Sequence, residues 1–376
     1  GALDAIISNA MTEESAGAFA SAVVSRSTIA GHEIPQPTDP TFREALDFLS
    51  LPLTGPPSTT PISPSPPPPS RPPADEEGEI VLPPEKCFSS SGIQRCFRHQ
   101  APQGVSGALP LVLDLHGMTG TALGQWELLG GWNWFQRSNP SYVAAWPQGF
   151  GNSWNAGRTW CGDAEVEDID DVAFLDGVIT AMKELHQIDE NRVYIVGHSC
   201  GCSMAQTYAV RRSTTVAAMA CHAGYLMDVP DGYTPTSAWI AFGTHDESSP
   251  YEAGPPVGPY GVNNGYIGAV GSLEKWRDAN GCTGDPVETV QSFAGSGGFP
   301  ATQVSTRTYT ACAGGTEAAL VSLEGVNHYP FMGWGTQVDT VQMAWSFVSQ
   351  FTLQMSPLPQ MPPLPQMVMP PVAPPT

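Results

Sequence analysis

The segment around Ser199 constrains the fold of this chain more than any other part of the sequence. Residues 197–201 read Gly-His-Ser-Cys-Gly, which is the pattern Gly-x-Ser-x-Gly. A β-branched run at 193–196 precedes it, and a helix-compatible run at 202–209 follows it. The glycines allow a strand-to-helix turn too tight for side chains, which exposes the serine hydroxyl at the end of a sheet. The pattern therefore predicts a strand, a sharp turn that presents a nucleophile, and a helix.

Two later loops can supply the partners that a serine nucleophile needs. A serine hydroxyl is weakly nucleophilic at neutral pH, so it requires a base that is itself oriented by an acid. Asp246 follows the apolar run 237–242, and His328 follows the apolar run 318–323. The chain order serine, acid, histidine is typical of nucleophile elbows on parallel sheets. We expect Ser199 to be the nucleophile, His328 the base and Asp246 the orienting acid.

The same chemistry needs backbone N–H donors for the oxyanion, each commonly worth about 3–4 kcal/mol. One is the amide of Cys200, directly after the serine and at the positive end of the predicted helix. The other is expected in the loop 116–120, which follows a strand-like run at 111–115. We assign it to Met118, with Gly117 as the alternative.

Apolar runs alternate with helical patterns through the middle of the chain. This alternation predicts an α/β domain, with βα units and a mostly parallel central sheet flanked by helices. Asp170 and Asp171 stand at the start of one amphipathic helix, where we expect them to cap it and complement its dipole rather than act as catalytic acids.

The two ends of the chain differ from the middle in composition. Residues 51–79 and 355–376 are rich in proline, which predicts a semi-rigid linker and a disordered tail. Residues 1–50 carry two helical signals, and a propeptide, a remnant of another domain and an attached helical pair all stay open. We expect an N-terminal segment at 1–50, the linker, a catalytic domain at 80–354 and the tail.

Composition excludes several classes of partner. The formal net charge is -21, from 15 Lys plus Arg against 36 Asp plus Glu, which argues against nucleic acid and anionic lipid as partners.

No stretch approaches about 18 uninterrupted apolar residues, so we expect no membrane span. No Cys-x-x-Cys or His-Glu-x-x-His spacing indicates a metal, and we expect no cofactor. The chain begins with Gly1, so it carries no information about a leader. The oligomeric state stays open.

Eight cysteines, an even number, predict disulfides and an oxidising compartment. Cys87 and Cys96 flank a predicted hairpin, and we expect them to pair. Some of the others could instead be small buried hydrophobes. Four more fall at strand ends and loops around the predicted site and could form two bridges in any of three pairings: Cys161, Cys200, Cys202 and Cys221.

Seven short motifs occur in a fixed order between residues 87 and 351: Leu-His-Gly at 115–117, Trp-Pro-Gln-Gly at 146–149, Asp-Asp-Val-Ala-Phe at 170–174, Ile-Asp-Glu-Asn-Arg-Val-Tyr at 188–194, Gly-Thr-His-Asp at 243–246 with Pro-Tyr at 250–251, Trp276 with Asn-Gly-Cys at 280–282, and His-Tyr-Pro at 328–330. Together they resemble the secreted esterase family that contains polyhydroxybutyrate depolymerases and feruloyl esterases of the acetylxylan-esterase type. The resemblance implies an α/β-hydrolase fold, an extracellular location and a bridge between Cys282 and Cys312.

The chain departs from that family beside the reacting groups. The family usually has Gly-Leu-Ser-Ala-Gly-Gly at the elbow and Gly-Gly-Gly-His-x-Trp-Pro at the histidine. This chain has His198, Cys200 and Cys202 in the elbow, and Asn327 and Tyr329 beside the histidine.

The resemblance implies a secreted serine carboxylic-ester hydrolase that works through an acyl-enzyme. Its substrate would be a polymer-linked ester, either a feruloyl or acetyl group on polysaccharide or a polyhydroxybutyrate, or a small ester. We expect substrate contacts from Trp154, His222 and Tyr329. Two alternatives stay open: a serine peptidase on the same fold, and a non-catalytic cell-wall or matrix binding protein.

Overall fold

A computed structural model describes residues 82–128, 131–157, 161–254, 267–296 and 298–353. The expected N-terminal segment, the whole linker and the tail lie outside the described residues, within 1–81 and 354–376, so the division of the chain into four parts stays a prediction. Within the described ranges, no helix is both long enough and apolar enough to cross a membrane.

One sheet of ten strands organises this part of the chain. The strands are β1 Glu85–Ser90, β2 Ile93–Gln100, β3 Leu109–Leu115, β4 Val143–Pro147, β5 Ile188–His198, β6 Ala218–His222, β7 Ser237–Gly243, β8 Val287–Phe293, β9 Thr302–Tyr309 and β10 Ala318–Leu323. Their spatial order is β1-β2-β4-β3-β5-β6-β7-β10-β9-β8. The strands from β4 to β10 in this order run parallel, and the outer pairs at both edges are antiparallel. The predicted mostly parallel sheet is confirmed.

Helices cover both faces of the sheet. The described residues form the α-helices α1 Ala122–Glu127, α2 Trp132–Ser138, α3 Asp163–Val166, α4 Asp171–Leu185, α5 Cys200–Arg211, α6 Gly268–Ala279 and α7 Thr340–Val348. Side chains from α4, α5 and α6 share one apolar cluster with Leu111 and Leu113 of β3. Side chains from α1, α2 and α7 share a second cluster with Val112. Because successive residues of a strand point to opposite faces, a continuously apolar strand is buried on both sides.

This layered arrangement, with a serine between β5 and α5, is the α/β-hydrolase fold that the resemblance implies. In such a fold, the carboxyl ends of the parallel strands meet along one edge of the sheet, and ligands bind there. The loops after β3, β5, β7 and β10 therefore open at the same edge.

The two aspartates at the start of α4 have different roles. Asp170 caps the helix, since its carboxylate accepts the amide of Ala173 at 2.9 Å, as predicted. Asp171 is buried and pairs with Arg95 of β2, with 2.7 Å between a guanidinium nitrogen and a carboxylate oxygen. Its second oxygen accepts the amide of Asn155 at 2.7 Å. Asp171 therefore ties α4 to the sheet.

All eight cysteines are bonded. Cys87 and Cys96 occupy directly paired positions of β1 and β2, and their predicted bridge is confirmed. The bridge between Cys282 and Cys312 that the resemblance implies is also present. Of the three pairings left open for the other four cysteines, the structure has Cys161 with Cys200 and Cys202 with Cys221.

Candidate active site

Ser199 occupies a sharp turn between β5 and α5. Its backbone has φ 56° and ψ -124°, a left-handed conformation that costs a non-glycine residue of order 1–3 kcal/mol. A Cβ at Gly197 would lie 2.5 Å from the carbonyl oxygen of Gly201, and one at Gly201 would lie 2.2 Å from that of Leu115. Both glycines are therefore required by close backbone approach, as the Gly-x-Ser-x-Gly pattern predicts.

His328 and Asp246 meet above the ends of β10 and β7. The ring nitrogen Nδ1 of His328 lies 2.8 Å from Oδ2 of Asp246. The other carboxylate oxygen, Oδ1, accepts the amides of Ser248 at 2.8 Å and Ser249 at 2.7 Å. The Asp246 carboxylate has no solvent-exposed surface. Since an ionised carboxylate only accepts hydrogen bonds, Nδ1 of His328 carries the proton and Nε2 is left as the basic nitrogen.

The residue before the serine connects the elbow to the histidine loop. His198 is buried, and its Nε2 donates to the backbone carbonyl of His328 at 2.8 Å. Its ring centroid lies 4.8 Å from that of His328. Burial, together with the neighbouring His328, lowers the pKa of His198 well below its usual value. A neutral His198 therefore holds the histidine loop beside the elbow.

The described part of the chain shows no hydrogen bond between the Ser199 hydroxyl and the His328 ring. Catalytic hydrogen bonds of this kind are often long before substrate binds and tighten only in the complex. The structure brings the turn at Ser199 and the pair of His328 and Asp246 to one edge of the sheet. The side chain of His198 connects the turn to the loop that carries His328.

The loop after β3 lies directly against the elbow. A Cβ at Gly117 would stand 3.2 Å from the Cβ of Ser199. The loop turns back on itself, because the amide of Gly120 donates to the Gly117 carbonyl at 3.0 Å. Among the hydrogen bonds of the described residues, none uses the amide of Met118. The amide of Cys200 opens α5 and has no intrahelical acceptor. The choice between Met118 and Gly117 as the second oxyanion donor stays a prediction.

His116 fixes this loop. Its Nδ1 donates to the Gly117 carbonyl at 2.7 Å, and its Nε2 accepts the amide of Gly149 at 2.9 Å. Its own carbonyl accepts the indole N–H of Trp154 at 2.8 Å. Burial lowers the pKa of His116 to about 4, so the ring is neutral at physiological pH. His116 acts as a structural residue of the loop.

Two disulfides hold the first turn of α5. Cys200, whose amide is the first oxyanion candidate, is joined to Cys161 in the loop before α3. Cys202 is joined to Cys221 of β6. The residues one and three positions after Ser199 are thus covalently attached to two neighbouring segments.

Two of the three residues expected to contact the substrate are fully buried in this structure. Trp154 and His222 have no solvent-exposed surface, so neither offers a substrate any area. The Trp154 ring packs on His116, with 5.0 Å between ring centroids. The His222 ring packs against Phe331 at 4.5 Å and Trp239 at 5.4 Å. Both side chains are internal because β6 and the loop after β4 are covered by neighbouring segments.

Tyr329 is the third expected contact, and its side chain is exposed beside His328. The structure adds Trp334, an exposed side chain whose ring centroid lies 6.0 Å from that of Tyr329. We did not single out Trp334 from the sequence. No local pattern in the sequence distinguishes it, because its exposure depends on which remote segments cover it.

No protein-family model matches the chain. Three curated relatives carry the names of carboxylic ester hydrolases. Feruloyl esterase B of Piromyces equi is 28% identical over 264 residues, which cover 67% of this chain and 44% of the relative. Poly(3-hydroxyalkanoate) depolymerase C of Paucimonas lemoignei is 28% identical over 218 residues, covering 57% of this chain and 51% of the relative. The bifunctional acetylxylan esterase/xylanase XynS20E of Neocallimastix patriciarum is 24% identical over 268 residues, covering 70% and 34%.

The chain spans about half or less of the length of these relatives. A solved acetyl xylan esterase from Aspergillus awamori is 11% identical, with a TM-score of 0.49, covering 71% of this chain and 99% of that one. The resemblance to the esterase family of feruloyl esterases, polyhydroxybutyrate depolymerases and acetylxylan esterases is confirmed by the relatives' names.

Proposed function

We propose that this protein is a secreted serine carboxylic-ester hydrolase that acts on polymer-linked esters through Ser199, His328 and Asp246. The observation that carries the proposal is the elbow. Ser199 is held in a costly backbone conformation at the start of α5, and the loop after β10 beside it carries His328, which the buried Asp246 carboxylate from the loop after β7 orients. Backbone strain of this kind persists where the surrounding structure requires it, and it is concentrated at functional sites.

The residues suit an acyl-enzyme mechanism. Ser199 Oγ attacks the ester carbonyl carbon while Nε2 of His328 takes the hydroxyl proton. The Asp246 carboxylate, fixed by two backbone amides, stabilises the imidazolium through its bond to Nδ1. The amide of Cys200 and that of Met118 or Gly117 donate to the oxyanion. When the tetrahedral intermediate collapses, the alcohol leaves with the proton from His328, and water then releases the acid by the same steps in reverse order.

The proposed substrate is a feruloyl or acetyl ester on polysaccharide, with polyhydroxybutyrate as the alternative. The proposal is supported by the names of the relatives, which are a feruloyl esterase, a poly(3-hydroxyalkanoate) depolymerase and an acetylxylan esterase/xylanase. The net charge of -21 disfavours strongly anionic polymers as substrates. Four disulfides support an extracellular location, because such bonds persist in oxidising compartments.

Hydrolysis of a small ester panel tests the proposal. The panel is p-nitrophenyl acetate, p-nitrophenyl butyrate, methyl ferulate and a polyhydroxybutyrate suspension, with a p-nitroanilide peptide added for peptidase activity. We expect the wild type to hydrolyse at least one ester, and Ser199→Ala to lose at least about 10³-fold in kcat. Ser346→Ala, which removes an exposed hydroxyl from α7, is the matched control and should keep full activity.

Two results would redirect the assignment. Faster turnover of the peptide than of any ester would indicate a serine peptidase. If folded wild type hydrolyses nothing, while wild type and Ser199→Ala bind polysaccharide equally, the protein is a non-catalytic wall or matrix protein.

A further inference from the structure

Two exposed aromatic rings lie on the loop that carries the proposed catalytic histidine, and one of them, Tyr329, contacts the His328 ring with 5.5 Å between centroids. Tyr329 is 42% exposed and Trp334 is 46% exposed, and their planes are inclined by 34°. Tyr329 also packs on the buried ring of His198, with 5.0 Å between centroids and 33° between planes. These contacts link His198, the residue before Ser199, through Tyr329 to the exposed Trp334. We call Tyr329 and Trp334 the aromatic pair.

The loop that carries the aromatic pair is well ordered by hydrogen bonds. The amides of Trp334 and Gly335 both donate to the carbonyl of Phe331, at 3.1 and 3.2 Å. The amide of Gly333 donates to the carbonyl of Thr336 at 2.9 Å. Phe331 itself is buried against the core. These bonds fix the backbone that carries Trp334, and exposed aromatic side chains that contact one another are candidates for a ligand-binding surface.

The position of the aromatic pair indicates which part of the substrate it meets. This step rests on the proposed function. His328 gives its proton to the departing alcohol, so the alcohol part of the ester leaves on the side of the histidine loop. The oxyanion donors hold the carbonyl oxygen from the opposite loops, those after β3 and β5. The aromatic pair belongs to the histidine loop and therefore adjoins the alcohol part.

The surroundings of the aromatic pair favour a sugar over a polyester. A pyranose ring has an apolar C–H face and a polar rim, so it suits an aromatic plane in a wet setting. An apolar polymer surface calls for a wide apolar patch, of several hundred Å². On the described loops that carry the site residues, the exposed large apolar side chains are only Met118, Tyr329 and Trp334.

We infer that Tyr329 and Trp334 form a subsite for a neutral sugar ring in the alcohol part of the substrate. The subsite makes the enzyme a deacylase of polysaccharide chains, because it binds the chain that carries the ester rather than the acyl group. Small esters of the same acid lack the sugar and gain nothing from it.

Kinetics on matched esters test this inference. The substrates are a feruloylated xylo-oligosaccharide and methyl ferulate, which share the acyl group and differ in the alcohol. We expect Trp334→Ala to raise KM for the sugar ester about tenfold, equivalent to about 1.4 kcal/mol, with kcat nearly unchanged. Both constants for methyl ferulate should stay at the wild-type values. Trp334→Phe keeps a ring and should restore most of the lost affinity.

A binding measurement gives a second readout that does not depend on turnover. Xylotetraose, which carries no ester, is titrated into Ser199→Ala and into Ser199→Ala/Trp334→Ala by calorimetry. We expect the second protein to bind about tenfold more weakly. Val287→Ala, which trims an exposed apolar side chain on β8 that is 56% exposed, is the control and should change neither KM nor Kd.

The outcomes separate this inference from the proposed function. An equal rise of KM for the sugar ester and for methyl ferulate would place the aromatic pair on the acyl side and overturn the inference. So would unchanged xylotetraose binding combined with weaker adsorption to polyhydroxybutyrate granules, which would indicate a polyester surface. Ser199-dependent hydrolysis with no effect of Trp334→Ala would refute the subsite and leave the esterase proposal standing. Absence of all ester hydrolysis would refute both.

Discussion

Replacing His222 with leucine should make the protein less sensitive to acid. The His222 ring is fully buried, and neither ring nitrogen has a hydrogen-bond partner among the described residues. Desolvation by burial lowers its pKa from 6.5 to about 3. Since the folded-state pKa is below the unfolded-state value, His222 supports stability above pH 6.5, and this support is lost as the pH falls.

The size of the effect follows from that difference in pKa. One pKa unit corresponds to about 1.4 kcal/mol. At pH 4.5 this histidine is protonated in the unfolded chain but neutral in the folded protein. The free energy of unfolding is therefore about 3 kcal/mol lower at pH 4.5 than at pH 8. His222→Leu removes the titrating group and should lose about 3 kcal/mol less than the wild type over this range. His116 is present in both proteins, so its contribution cancels in the comparison. His222 is one of the causes that lower the pKa of His198, so removing it raises the pKa of His198 and acts in the same direction.

Urea unfolding followed by tryptophan fluorescence at pH 8 and pH 4.5, with disulfides intact, measures the difference. His245→Leu, which removes an exposed histidine, is the control and should follow the wild type. Equal losses of unfolding free energy in wild type and His222→Leu would refute the reasoning. The variant should also keep the wild-type KM for esters, because a buried side chain makes no substrate contact, while the His222 carbonyl that accepts the Ser199 amide is retained.

Three further predictions concern the site and the core. Asp246→Asn should lower kcat about 10³–10⁴-fold with little change in KM, because an amide cannot stabilise the imidazolium. The control Glu247→Gln, at the exposed neighbouring residue, should be active. Equal kcat values in the two variants would contradict the proposed role of Asp246. Removing the bridge at the elbow with Cys161→Ala/Cys200→Ala should lower kcat about tenfold, since the residue that carries the proposed oxyanion amide loses its covalent attachment. Cys87→Ala/Cys96→Ala should keep the wild-type kcat. A loss of kcat only in this second variant would contradict the prediction. Burial raises the pKa of Asp114 to about 7, so its contribution to stability is present at low pH and is lost as the pH rises through 7. In urea unfolding between pH 5 and 7, Asp114→Asn should therefore lose about 1.4 kcal/mol per pH unit less unfolding free energy than the wild type. An unchanged dependence of unfolding free energy on pH would contradict this.

Several features of this protein could be predicted from the sequence because they are local in the chain. The glycines of residues 197–201, between a β-branched run and a helical run, determine the turn at Ser199, since only glycine tolerates such close backbone approach. The order of Ser199, Asp246 and His328 follows from strands that can be recognised one at a time. The bridge between Cys87 and Cys96 follows from a hairpin of adjacent strands.

Other features were decided only when distant segments packed together. Four cysteines around the elbow allow three pairings, and only the packing of the loop before α3 on α5, and of α5 on β6, selects between them. Trp154, His222 and Tyr329 are all suitable residue types for contacting a substrate, but the first two are internal and the third is exposed. The physical reason is that burial depends on which remote elements cover a side chain, and no local pattern of residues records that. The sequence by itself thus determined the turn at Ser199 and the order of the three proposed catalytic residues, whereas the tertiary structure decided which side chains surround them and which of these are exposed.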